Sequence, residues 1–148
     1  MLDTNLDVEK LKKLQFKIMK DVAASALIPL MRIGDQLGLF QKLSALGPIT
    51  SKKFAEEAKV DERYLREWLY ALSATDFVSY DGEKEEFSLS PEQKAVFADE
   101  EGPANMLGAY EVLAGQVYAE EKVLEAFKTG NGVALSLIHI SEPTRRRH

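Results

Sequence analysis

Apolar residues recur at three- and four-residue intervals along most of this chain, and alternate with polar ones in one short region. From Asp7 to about Ala26, Val8, Leu11, Leu14, Ile18 and Val22 share a stripe. Lys10, Lys12, Lys13, Lys17 and Lys20 lie mostly off it, so the pattern predicts an amphipathic helix with a solvated face. Leu30, Ile33, Leu37 and Phe40 continue at core spacing from Leu27 to Phe40, with Pro29 marking the boundary between the two helical stretches. Gly38 lets the chain turn before Leu39-Phe40, and Gln41 to Leu46 is a short helix ended by Gly47-Pro48.

The stretch from Ile49 to Leu89 organises the rest. Ile49 and Thr50 form a short extended piece, and Ser51 is placed to cap a helix carrying Phe54, Ala55 and Ala58 on one face. Lys59-Val60-Asp61 allows only a sharp turn, with Val60 pointing inward and Asp61 capping a second helix. In that helix Tyr64, Leu65, Trp68, Leu69 and Leu72 form an apolar stripe that faces a core. Phe77 to Tyr80 and Phe87 to Ser90 alternate around Asp81-Gly82, the signature of a hairpin. The pattern is mainly α: a winged helix-turn-helix with a small β-hairpin wing and extra flanking helices. Ser90-Pro91-Glu92-Gln93 opens a further short helix with a capping box, carrying Ala95, Val96 and Phe97. After the acidic loop from Asp99 to Pro103, one long helix is predicted from about Ala104 to Lys128, closed by Gly130. Met106, Leu107, Tyr110, Leu113, Ala114, Val117, Leu124 and Phe127 lie on or near one of its faces. Apolar helices on both flanks exceed what a winged-helix core needs, and the surplus surface points to a second subunit.

Charge bears on whether this scaffold reads DNA, because a protein on a duplex gains most of its affinity by neutralising phosphates. The second helix opens with Asp61, Glu62 and Glu67 against Arg63 and Arg66. The wing tip sets Asp81, Glu83, Glu85 and Glu86 against Lys84, where a DNA-binding wing meets the backbone. Nucleic acid is therefore disfavoured, and a small winged-helix transcription regulator stands as the alternative reading. The 148 residues, net charge −5, fit one unit with a real core. There is no signal-peptide layout and no apolar run of membrane-spanning length. With no cysteine, the expectation is a cytoplasmic protein without membrane attachment.

From Leu135 the text changes character. Leu135 to Arg145 resembles a translated adapter of transposase-based sequencing libraries, so the segment 135–148 is expected to be foreign to the protein. The other reading is a genuine basic C-terminus built on Arg145 to Arg147. Without the tail, 16 basic and 23 acidic residues leave a net charge of −7, and both histidines disappear with it. That removes the common zinc sets and the Ser-His and Cys-His nucleophile pairs. Glu56-Glu57 and Glu120-Glu121 are adjacent pairs that diverge around a helix instead of converging as an acid and base would. Gly130-Asn131-Gly132 follows a helix rather than a strand and reads as helix termination. Met106, Tyr110 and Tyr118 are candidates to line a ligand pocket, with core or interface the preferred reading. No residue is assigned a catalytic, cofactor-binding or metal-binding role.

Ile33 to Phe40, Gly47-Pro48-Ile49-Thr50, Glu62 to Leu69 and Leu89 to Gln93 together resemble the N-terminal winged-helix domain of class I S-adenosylmethionine-dependent methyltransferases acting on small molecules. The resemblance covers most of Leu6 to Val133. It implies a domain that intertwines two subunits and roofs a substrate pocket, followed by a doubly wound α/β domain that binds the cofactor and transfers the methyl group. The Gly-rich turn and ribose-binding acid of that second domain are absent from this sequence, so the resemblance transfers no cofactor residue. The expected organisation is dimerisation helices over 1–46, the winged helix-turn-helix over 47–98, and a helix over 99–134 linking to a missing catalytic domain. The expected partners are a second copy and, for the complete protein, S-adenosylmethionine and a small methyl acceptor. An interaction module with no attached chemistry remains a third reading.

Overall fold

The computed structural model describes residues 5–133, so the reading of 135–148 lies outside the described residues. Eight helices and a three-stranded antiparallel sheet of order β1-β3-β2 follow one another among them. The first helix, α1, spans Val8–Ser25 and is capped by Asp7, whose carboxylate accepts from the Glu9 and Lys10 N–H groups at 3.1 Å. It ends at Ala26, and α2 (Leu27–Gln36) takes Pro29 in its first turn, where a missing N–H costs nothing. The boundary is where the proline predicted it. The expected Leu27 to Phe40 segment is divided, because Gly38 adopts the left-handed conformation (φ 63°) and starts α3 at Leu39, two residues earlier than expected. α3 (Leu39–Leu46) then presents Leu39, Phe40 and Leu43 to the core.

β1 (Ile49–Thr50) leads into α4 (Ser51–Ala58). The cap is Thr50, not Ser51. Extended Thr50 (ψ 154°) lets its hydroxyl accept from the Lys53 N–H at 3.4 Å, while the Ser51 hydroxyl donates to Glu62 at 2.9 Å. Lys59 turns in the left-handed conformation, Val60 packs against the core, and Asp61 caps α5 (Glu62–Ser73) through the Tyr64 N–H. Leu65, Trp68, Leu69 and Leu72 face inward as predicted. Tyr64 does not, at 79% exposed, because it lies in the first turn of α5, beside the face that those four residues fill.

Phe77 and Val78 were expected in a strand and instead close α5, both donating to the Leu72 carbonyl at 2.9 and 3.3 Å. That satisfies a helix-end acceptor first and delays the wing to β2 (Ser79–Asp81) and β3 (Glu86–Ser88), paired as Tyr80↔Phe87 and Asp81↔Glu86. The Asp81 carboxylate accepts from the Glu83 and Lys84 N–H groups and shapes the turn. β1 joins this hairpin through Ile49↔Phe87.

The capping box forms at α6 (Pro91–Phe97): the Ser90 hydroxyl accepts from the Gln93 N–H at 3.2 Å and the Gln93 amide oxygen accepts from the Ser90 N–H at 2.8 Å. Gln93 also accepts from the Ser79 hydroxyl and donates to the Asp76 carbonyl, tying this helix start to the root of the wing. Ser90→Ala is expected to lower stability by about 1 kcal/mol. A urea unfolding midpoint equal to that of the unaltered chain would refute the role of this cap.

The predicted long helix is in fact two, α7 (Leu107–Tyr118) and α8 (Glu120–Thr129). It starts three residues late because Asn105 accepts the Leu107 N–H at 3.0 Å and Met106 donates to the Val96 carbonyl, holding 104–106 in a turn against α6. It is interrupted at Ala119, after which Glu120 and Glu121 occupy the first turn of α8, where the helix dipole favours carboxylates. A one-residue interruption leaves the 3.6-residue spacing almost unchanged, so periodicity cannot see it. Gly130 closes α8 as expected. The core is one cluster centred on Met31, Phe40, Phe54, Leu69 and Leu72, with α7 laid against α2 at its edge.

Candidate functional site

On the helix-turn-helix, Arg66 is spent locally: its guanidinium donates to both oxygens of Glu62 at 3.1 and 3.2 Å, and Glu62 also holds Ser51. A groove beside these residues is lined by Lys52, Arg66, Tyr70 and Glu85, so it mixes both signs of charge. The wing tip carries Asp81, Glu83 and Glu85 on its exposed surface, with Lys84 drawn to Asp81 at 4.0 Å. Behind the tip, Tyr70 meets Tyr80 and Phe87 edge-on, and the Tyr80 and Phe87 centroids are 4.7 Å apart. A side-chain hydrogen bond with Tyr70 holds the Tyr80 hydroxyl above the usual tyrosine range.

Glu56-Glu57 and Glu120-Glu121 are all exposed on their helices. Among the described residues, no three of Asp, Glu, His and Cys gather as a metal-ligand set. The three residues separate: Tyr110 packs against the core, where burial pushes its hydroxyl pKa up, whereas Met106 and Tyr118 are largely exposed, the Tyr118 hydroxyl reaching Arg32.

Sequence reading missed the contact that holds α7 in place. Arg32 of α2 donates to Glu111 of α7 at 2.9 Å, with only 22% and 20% of the two side chains exposed. The Glu111 carboxylate, followed by the Tyr118 hydroxyl, pushes the Arg32 pKa up against the opposing effect of burial, so the guanidinium stays charged. A signal was available, since Glu111 is the only charged residue of α7 and such a lone charge needs a partner. Between α2 and α5, Ile33, Leu37, Val60, Tyr64 and Trp68 line a small, almost wholly apolar slot.

The large feature is the unpartnered apolar surface. No residue of α1 or α8 is buried. Met19 is 67% exposed and Phe127 87%. No described helix is long and apolar enough to cross a membrane.

A family model described as the Rv2258c-like winged HTH domain matches residues 23–98. Among solved structures, the chain is similar to a Nostoc punctiforme protein assigned as an O-methyltransferase, with a TM-score of 0.56 and 22% sequence identity. The match covers 84% of this chain and 36% of that one, so the chain spans little more than a third of that protein's length. A search of curated proteins found no match.

Proposed function

Because the chain belongs to the Rv2258c-like winged HTH domain family, we propose that it is the dimerising, substrate-covering part of an S-adenosylmethionine-dependent methyltransferase and performs no catalysis by itself. The observation that carries this reading is the extent of the fold match, which takes in nearly the whole chain yet only 36% of an O-methyltransferase. On this reading residues 1–46 supply dimerisation helices, 47–98 the winged helix-turn-helix, and 99–134 the connection to an α/β catalytic domain. The complete protein would act on a small-molecule acceptor in the cytoplasm.

The described residues do not fit the cofactor. The strands are two or three residues long, and none runs into a Gly-rich turn at a helix N-terminus where an adenosyl group could be cradled. No step of methyl transfer is therefore assigned to this chain. The acidic wing tip and the Arg66–Glu62 pairing favour a protein or small-molecule role over duplex binding.

The test is to read the coding frame beyond Ala134 and titrate S-adenosylmethionine calorimetrically into both the 148-residue chain and its extended form. The expected result is an α/β domain downstream, binding by the extended protein and none by the short chain. Micromolar binding by the short chain would overturn the reading, and salt-sensitive binding to a duplex would revive the transcription regulator.

A further inference from the structure

Resting on the dimerising role proposed above, we infer that α1 of one copy seats on the outer face of α7, and along α8, of a second copy. A helix that is apolar all round belongs in an interior. α7 is such a helix: one side packs on α2, its single charge is taken up by Arg32, and its other side is still apolar or uncharged and lies in solvent. Gly108, Ala109, Val112 and Gln116 form that side, and a Cβ added to Gly108 meets nothing within 4 Å, so it is a low surface open to another helix.

α1 supplies the matching element. Val8, Leu14, Ile18, Met19 and Val22 are all more than half exposed and, with Phe16, spread over more than half of the helix circumference, more than its own contact with α2 covers. Six large apolar side chains on α1 and six on α7 and α8, between 38% and 87% exposed, offer on the order of 1000 Å² per subunit, which reaches the ~800 Å² that a stable interface takes from each partner. The charges agree. α1 carries five lysines against Glu9 and Asp21, whereas α8 carries three glutamates against two lysines. Each copy holds one α1 and one α7–α8 face, so the exchange closes as a twofold dimer and leaves neither face uncovered.

The chain has no cysteine, so single introduced thiols report directly. Chains bearing Ile18→Cys are mixed with chains bearing Val112→Cys and oxidised gently, and the 148-residue chain is followed by sedimentation. The expected result is a dimer in solution that links as the mixed Ile18→Cys and Val112→Cys pair in excess of either self-pair. Gly108→Lys, at a site where the fold has room, is expected to raise the dimer Kd by roughly 30-fold or more while the circular dichroism stays unchanged. A dimer that links Ile18→Cys to itself, or does not respond to Gly108→Lys, overturns this docking and leaves the dimerising role standing. A monomer at all concentrations overturns both.

Discussion

Phe40→Ala is expected to destabilise the chain by about 3–5 kcal/mol, the scale of emptying an aromatic site in a packed core. Phe40 is fully buried, meets Trp68 edge-on with centroids 5.2 Å apart, and lies 5.3 Å from Phe97. It therefore joins α3, α5 and α6 at one point. Trp68 is in turn anchored by its indole N–H, which donates to the Leu30 carbonyl at 2.8 Å, so it cannot swing into the vacated space without giving up that bond. Urea unfolding followed by tryptophan fluorescence measures the loss, since Trp68 is the only tryptophan. A loss below ~1 kcal/mol would mean that the core collapses freely around this site, contrary to the packing described.

The second large effect is a contrast in sign between two helical glycines. A Cβ at Gly34 would sit 2.6 Å from both Phe40 Cε2 and Trp68 Cζ2. Two interlocked rings in the core have no free direction in which to yield, so Gly34→Ala is expected to cost about 1–2 kcal/mol net, even after the better helix propensity of alanine is counted. Gly108→Ala adds the same methyl where nothing in its own chain lies within 4 Å and is expected to stabilise the monomer, at concentrations too low for dimers, by up to about 1 kcal/mol. Thermal unfolding of the two variants should move in opposite directions. A stabilised Gly34→Ala would show that α2 is not pressed against the aromatic pair.

The sequence pattern carried most of the local structure because its causes are local. The Ser90–Gln93 capping box, the Asp61 cap, the turn at Gly38 and the inward stripe of Leu65, Trp68, Leu69 and Leu72 all appear where residue type and spacing placed them. A cap or a helix face is decided within four residues, so adjacent text contains what is needed. The errors fell where residue type and spacing left two options nearly equal. Thr50 displaced Ser51 as a cap once Glu62 engaged the serine hydroxyl. Phe77 and Val78 went to the Leu72 carbonyl instead of the hairpin. Tyr64 shares the apolar spacing of its neighbours but lies outside the face they fill.

The candidate site divides in the same way. The acidic wing tip was legible, because charge is additive along a short exposed turn. The Arg32–Glu111 pair was not, as its members stand 79 residues apart and meet only because α7 packs on α2. Amphipathic spacing showed that α1 and the final helices have apolar faces, but spacing says only that a face seeks cover. Tertiary structure decided that these faces stay outside the core of this chain: Met31, Phe40, Phe54, Leu69 and their neighbours already close that core, and no volume is left within it for Leu14, Ile18 or Phe127.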